Sequence, residues 1–79
     1  MTPSQAQALK VGDLLRYKSI MNGIETLEIV TCEWQGSDDN GQVIVETVAI
    51  IKQTGDRQYY IGEKGFVQWN NFENFEKVK

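Results

Sequence analysis

The chain has 79 residues, of which 41% are hydrophobic and 24% charged, with a formal net charge of −3. That length holds one domain with a small core, and that balance excludes wholesale disorder. The acidic total weighs against nucleic acid as a partner, because a nucleic-acid footprint needs a basic patch or stripe.

Residues 1–10 read as a lead-in to a β domain over residues 11–79. Thr2 is suited to cap a helical turn and Pro3 to open it, with Ala6 and Leu9 on one side. Two turns cannot hold alone, so this piece forms only if Ala6 and Leu9 find something to pack on; a frayed tail is the alternative. Val11-Gly12-Asp13 ends it with a tight bend. From Leu14 onward the signals are β. Asn22-Gly23 and Asn40-Gly41 are two-residue hairpin signals. The first predicts Leu15 opposite Val30, the second Val30 opposite Ile51 and Cys32 opposite Ala49. Both registers place Leu15, Val30, Cys32, Ala49 and Ile51 on one inner face, continued by Val43 and Val45. Gln53-Thr54-Gly55-Asp56 is a third turn, and its length decides whether Tyr59 or Tyr60 faces out. Gly62-Glu63-Lys64-Gly65 reads as a fourth turn, leading to Phe66-Val67-Gln68-Trp69. Asn70-Asn71-Phe72-Glu73-Asn74 looks like one helical turn with an Asn cap, and Phe75-Glu76-Lys77-Val78 is a last strand.

Alternation leaves an unusual opposite face. Leu14, Ile20, Leu27, Ile29, Val48 and Ile50 lie there among Arg16, Lys18, Glu25 and Glu33, where a half-buried sheet should be polar. Strong curling of the sheet, the N-terminal turn, or a partner (another protein or a second copy) could cover them. Leu27, Ile29, Val48 and Ile50 are therefore candidates for self-association as a homodimer.

Short strands at regular spacing joined by tight turns predict an all-β sandwich or barrel. Val11-Gly12-Asp13 opening the first strand, Trp69-Asn70-Asn71-Phe72 before the last, and Phe75-Glu76-Lys77-Val78 closing it resemble a Src-homology-3-like small β-barrel of five to six antiparallel strands. The resemblance covers residues 9–78. The C-terminal phrase is similar to short bacterial and bacteriophage accessory proteins of this fold. The resemblance implies a non-catalytic module that inhibits or adapts a larger host complex. The acidic loop and paired-aromatic groove of the proline-binding members have no counterpart here, nor does an aromatic cage for methylated lysine.

Little in the chain carries chemistry. Histidine is absent, so the commonest general base and metal ligand are missing. The loop Gly36-Ser37-Asp38-Asp39-Asn40-Gly41, aligned on Gly41, fails two essential positions of the helix-loop-helix calcium motif. Cys32, the sole cysteine, permits no internal disulfide and has no histidine to activate it, which fits a buried thiol in a reducing cytoplasm. Glu25, Glu28, Glu33 and Glu46 show no spacing that selects a catalytic pair and read as solvated charges. No apolar run approaches the roughly 20 residues of a membrane helix, and no signal segment opens the chain. The reading is no enzyme, no cofactor and no metal. Aromatics are the lead: Trp34, Tyr60 and Phe66 as anchors for a partner protein, with Asp38 and Asp39 steering toward a basic surface. Lys52, Arg57 and Lys64 with Tyr60 form the competing reading, an aromatic-and-basic platform for single-stranded nucleic acid.

Overall fold

The computed structural model describes residues 1–34, 45–68 and 71–78. Among these, five antiparallel strands form one open sheet: β1 (Leu14–Lys18), β2 (Glu25–Cys32), β3 (Val45–Thr54), β4 (Arg57–Val67) and β5 (Phe75–Val78), in the order β4-β3-β2-β1-β5. A short helix, α1 (Pro3–Gln7), precedes the sheet, and a 3-10 turn, Phe72–Asn74, leads into β5. The chain is mostly β, as alternation predicts. β4 and β5 are the two edges, and no ladder joins them among the described residues.

One face of the sheet is buried. Leu15, Val30, Val45, Ala49, Val67 and, on β5, Phe75 line it, and Ala6, Leu9 and Phe72 close over it. Tyr17 leans on Phe75 with ring centroids 4.9 Å apart. The helix forms because both of its needs are met. Thr2 and Gln5 make a reciprocal capping box, Oγ1 accepting from the Gln5 N–H at 3.2 Å and Oε1 from the Thr2 N–H at 2.8 Å. Ala6 and Leu9 supply the packing that so short a helix requires.

The bend before β1 is locked by Asp13. Its N–H donates to the Lys10 carbonyl at 3.0 Å, and its Oδ2 accepts from the Lys10 N–H at 2.9 Å. Gly12 takes φ +97°, where a side chain would be strained. The bend then joins β2: Gly12 N–H donates to the Val30 carbonyl, and Val30 N–H to that of Asp13. The Lys10 N–H, helped by the Lys77 ammonium 3.5 Å away, holds the Asp13 carboxyl below its ordinary value. The folded value lies below the unfolded one. The contribution is therefore complete above the ordinary carboxyl range and is lost as pH falls through the folded value. Urea midpoints measured between about pH 6 and pH 2 should fall less steeply for Asp13→Asn than for the parent, with a loss of roughly 0.5–1 kcal/mol at the upper end. Parallel curves would show that Asp13 contributes nothing through its charge.

The registers depart from the two-residue hairpins in ways that matter. Ser19 N–H donates to the Ile24 carbonyl and Gly23 N–H to that of Ser19, so four residues, Ile20 to Gly23, form the loop. Leu15 consequently faces Glu28 rather than Val30, a slip of two that preserves the inner face. Between β2 and β3, two irregularities do not preserve it. Glu28 faces Ala49 but Leu27 faces Ile51, leaving Ile50 as an extra residue; Val30 faces Thr47 but Cys32 faces Glu46, leaving Thr31 extra. Each bulge reverses the facing of the residues beyond it. Ile51 and Cys32, expected inside, lie half-buried on the outer face, while Val30, Val45 and Ala49 stay inside. The Asn40-Gly41 turn and Val43 lie outside the described residues.

The third turn takes its two-residue form, and the expected fourth is corrected. Thr54 pairs with Arg57 across a two-residue Gly55-Asp56 loop, Gly55 having φ +62° as a hairpin with glycine first requires. That loop alone would turn Tyr60 inward, but the bulge at Ile50 reverses it again. Gly62-Glu63-Lys64-Gly65 is no turn at all: β4 runs on through it. Asn71 precedes the 3-10 turn without capping it. Its side chain instead accepts from the Gln68 N–H at 2.7 Å and donates to the Phe66 carbonyl at 3.0 Å, bracing the end of β4.

Candidate functional site: the outer face of the sheet

The bulges decide which side chains meet on the outer face. With Ile51 flipped outward, Leu27, Ile51 and Tyr60 stand in one row across β2, β3 and β4, and Arg16 and Glu76 continue it on β1 and β5. The adjacent row is Val78, Leu14, Ile29, Val48 and Lys64. Beyond it lie Cys32, Glu46 and Phe66. On the other side Glu25, Gln53 and Gln58 form a polar rim. A shallow depression lined by Arg16, Glu25, Leu27, Ile51, Gln53 and Gln58 lies where rim and apolar rows meet. The result is an apolar centre edged by polar side chains.

Of the residues expected to anchor a partner, Tyr60 is 92% exposed, Phe66 40% and Trp34 38%. Tyr60 ends the Leu27–Ile51 row on the edge strand, so only one neighbouring strand shields it. Phe66 lies under the Lys64 ammonium, 5.5 Å from its ring centre. That same ammonium is 2.7 Å from Glu46. The pairing lowers the Glu46 carboxyl and raises Lys64, so both stay charged across the ordinary range. Trp34 follows β2 by two residues and is exposed. Asp38 and Asp39 lie outside the described residues. Leu27, Ile29 and Val48, candidates for self-association, share the outer face, and Ile50 sits at the bulge; all four are half-buried.

The basic residues do not converge. Lys52 and Arg57 pair with Tyr59 and Thr54 on the inner side of the sheet's open end. Lys64 stands on the outer face and is committed to Glu46.

A polar cluster that the sequence pattern does not reveal sits on the inner face. Glu28 is only 6% exposed. Its two carboxyl oxygens accept from the Thr26 hydroxyl at 2.8 Å and the Thr47 hydroxyl at 2.5 Å. No lysine or arginine of the described residues forms an ion pair with it. Gly65, paired with Thr47, leaves the room this group occupies. An isolated glycine inside a strand is the available signal, since it marks close approach by another group. The Leu27–Ile51–Tyr60 row has no such signal, because it depends on a bulge at Ile50, a residue with ordinary strand preference.

No protein family, curated protein or solved structure matches the chain in the comparisons made.

Proposed function

We propose that the chain is a non-catalytic binding module, built as a small Src-homology-3-like barrel, that captures another protein on its outer face. The exposed Tyr60 at the end of an apolar row carries this reading. A tyrosine so exposed adds almost nothing to its own fold, yet its rigid ring suits it to anchor a partner. Phe66 and Trp34 extend the surface, with the Glu46–Lys64 pair at its border. The strand order and the 3-10 turn before the last strand support the barrel likeness. By that likeness the context is a bacterial or bacteriophage accessory protein acting on a larger host complex in the cytoplasm. Nucleic acid is the weaker reading, because Lys64 stands across the sheet from Lys52 and Arg57 and is already paired.

The test immobilises the chain and compares what parent, Tyr60→Ala and Trp34→Ala retain from a bacterial lysate, with circular dichroism as the fold control. Tyr60→Ala is expected to weaken retention of the partner about tenfold or more while leaving the spectrum and melting unchanged. Trp34→Ala should act in the same direction. Equal retention by all three would reject this face as the capture surface. A steep loss of retention with salt would transfer the assignment to nucleic acid.

A further inference from the structure

We propose that two copies of this chain pair edge to edge through β4, in antiparallel register centred on Tyr60, to make one continuous sheet. This inference concerns the edge of the sheet; it shares Tyr60 with the outer-face reading, and its test is placed at Arg57 and Glu63, which that reading does not use.

The two edges are treated differently. β5 is short, and the Met1 ammonium donates to its Phe75 carbonyl at 3.3 Å, so the N-terminal segment lies against it. β4 runs eleven residues, and no described strand pairs with its outer side; the Asn71 side chain braces only its far end, at the Phe66 carbonyl. A long bare edge is a template for another strand unless charge or a bulge blocks it. The β3–β4 ladder has one irregularity, where Ile61 and Gly62 span the single residue between Ala49 and Ile51. Tyr60 and Glu63 still take opposite faces across it, so β4 keeps its alternation. What remains to block pairing is charge, and the charges of β4 select one arrangement instead.

A two-fold axis perpendicular to the sheet must pass a residue that meets its own copy, so the allowed registers differ by steps of two. Centred on Tyr60, Arg57 meets Glu63 of the second copy, a pair that occurs twice, and the turn residue Asp56 lies at the end of the ladder near its Lys64. Tyr59 then meets Ile61, and Gln58 meets Gly62. Centred on Glu63 or on Lys64, like charges meet at the axis. Centred on Tyr59, Ile61 or Gly62, the charges meet apolar, glycine or neutral polar residues. Only the Tyr60 register sets opposite charges against each other. Asp56, Arg57 and Glu63 have no ion-pair partner in their own chain among the described residues. Lys64 has donors to spare beyond the one given to Glu46. In this register the Leu27–Ile51–Tyr60 row of one copy runs directly into the Tyr60–Ile51–Leu27 row of the other.

Edge pairing alone buries less than the roughly 1,200–2,000 Å² of a standard stable interface, so association in the micromolar range is expected. Sedimentation equilibrium of the full chain tests this with Arg57→Glu and Glu63→Lys, both at exposed positions. The parent should reach twice the chain mass. Each variant alone should dimerise about a hundredfold more weakly, because both copies then present like charges. An equimolar mixture of the two variants should recover the doubled mass. In the mixed pair the new carboxylate of one copy meets the new ammonium of the other, and the unchanged Arg57 meets the unchanged Glu63. Circular dichroism confirms that both variants are folded. A parent that stays at single-chain mass up to roughly millimolar concentration, about a thousandfold above the expected range, overturns the proposal. So do variants that dimerise as tightly as the parent, or a mixture that remains monomeric.

Discussion

Replacing Gly65 by alanine is expected to destabilise the fold by about 2–4 kcal/mol, while the same change at Gly62, three residues away in the same strand, is neutral or stabilising by up to about 0.5 kcal/mol. A Cβ on Gly65 would lie 2.7 Å from Glu28 Oε1 and 2.8 Å from Thr47 Oγ1, distances that real side chains do not tolerate. The backbone there is paired in the ladder with β3 and Glu28 is enclosed, so neither can move away without cost. The carboxyl group must leave its two threonine hydroxyls or the strands must part. A Cβ on Gly62 meets nothing within 4 Å, so it only reduces the freedom of the unfolded chain. In a domain this small the Gly65 penalty corresponds to a melting shift of roughly 10–25 °C. The cause is checked in a double-mutant cycle with Glu28→Ala, where at least half of the Gly65→Ala cost should vanish because the clashing oxygen is gone. Equal melting of the two glycine variants would show that the strands accommodate the methyl group and that the Glu28 cluster is loose.

This cluster also marks where sequence reasoning stops. Alternation finds the strands, Thr2-Pro3 finds the helix start and Val11-Gly12-Asp13 finds the bend, because each is a local preference that the tertiary structure does not oppose. Asn22-Gly23 and Gly55-Asp56 locate their turns. The first does not reveal its loop length, since a four-residue and a two-residue loop keep the same inner face. Bulges are the deeper difficulty. Ile50 and Thr31 are β-branched residues with ordinary strand preference, and nothing local marks them as extra. They appear only because β2 and β3 must each match two neighbours at once. That is why alternation puts Ile51 and Cys32 inside while the structure has them outside. It is also why the row ending in Tyr60 is not legible although Tyr60, Trp34 and Phe66 are. Glu28 reads as a solvated charge for a related reason. Its burial depends on threonines and a glycine drawn from three different segments, and the glycine itself imitates a turn signal.

Truncating Leu9 to alanine is expected to cost about 2–4 kcal/mol, as much as truncating Leu15 in the middle of β1, although Leu9 stands in a lead-in that propensity alone leaves frayed. Leu9 is only 1% exposed, and with Ala6 it fills the core beside Leu15, Val30, Phe72 and Phe75. A short capped helix contributes little by itself, so its ordering entropy is offset mainly by what Leu9 buries. Removing that side chain leaves both a cavity and a helix with no reason to stay docked. The Met1 contact with Phe75 is then lost too, and the edge of β5 opens. Ile51→Ala supplies the contrast: it removes a side chain of similar size from the half-exposed outer face and should cost about 1 kcal/mol. Chemical denaturation of the three variants ranks them directly. If Ile51→Ala proves as costly as Leu15→Ala while Leu9→Ala is silent, the inner face follows simple alternation after all, and the bulge-made row that ends in Tyr60 does not exist.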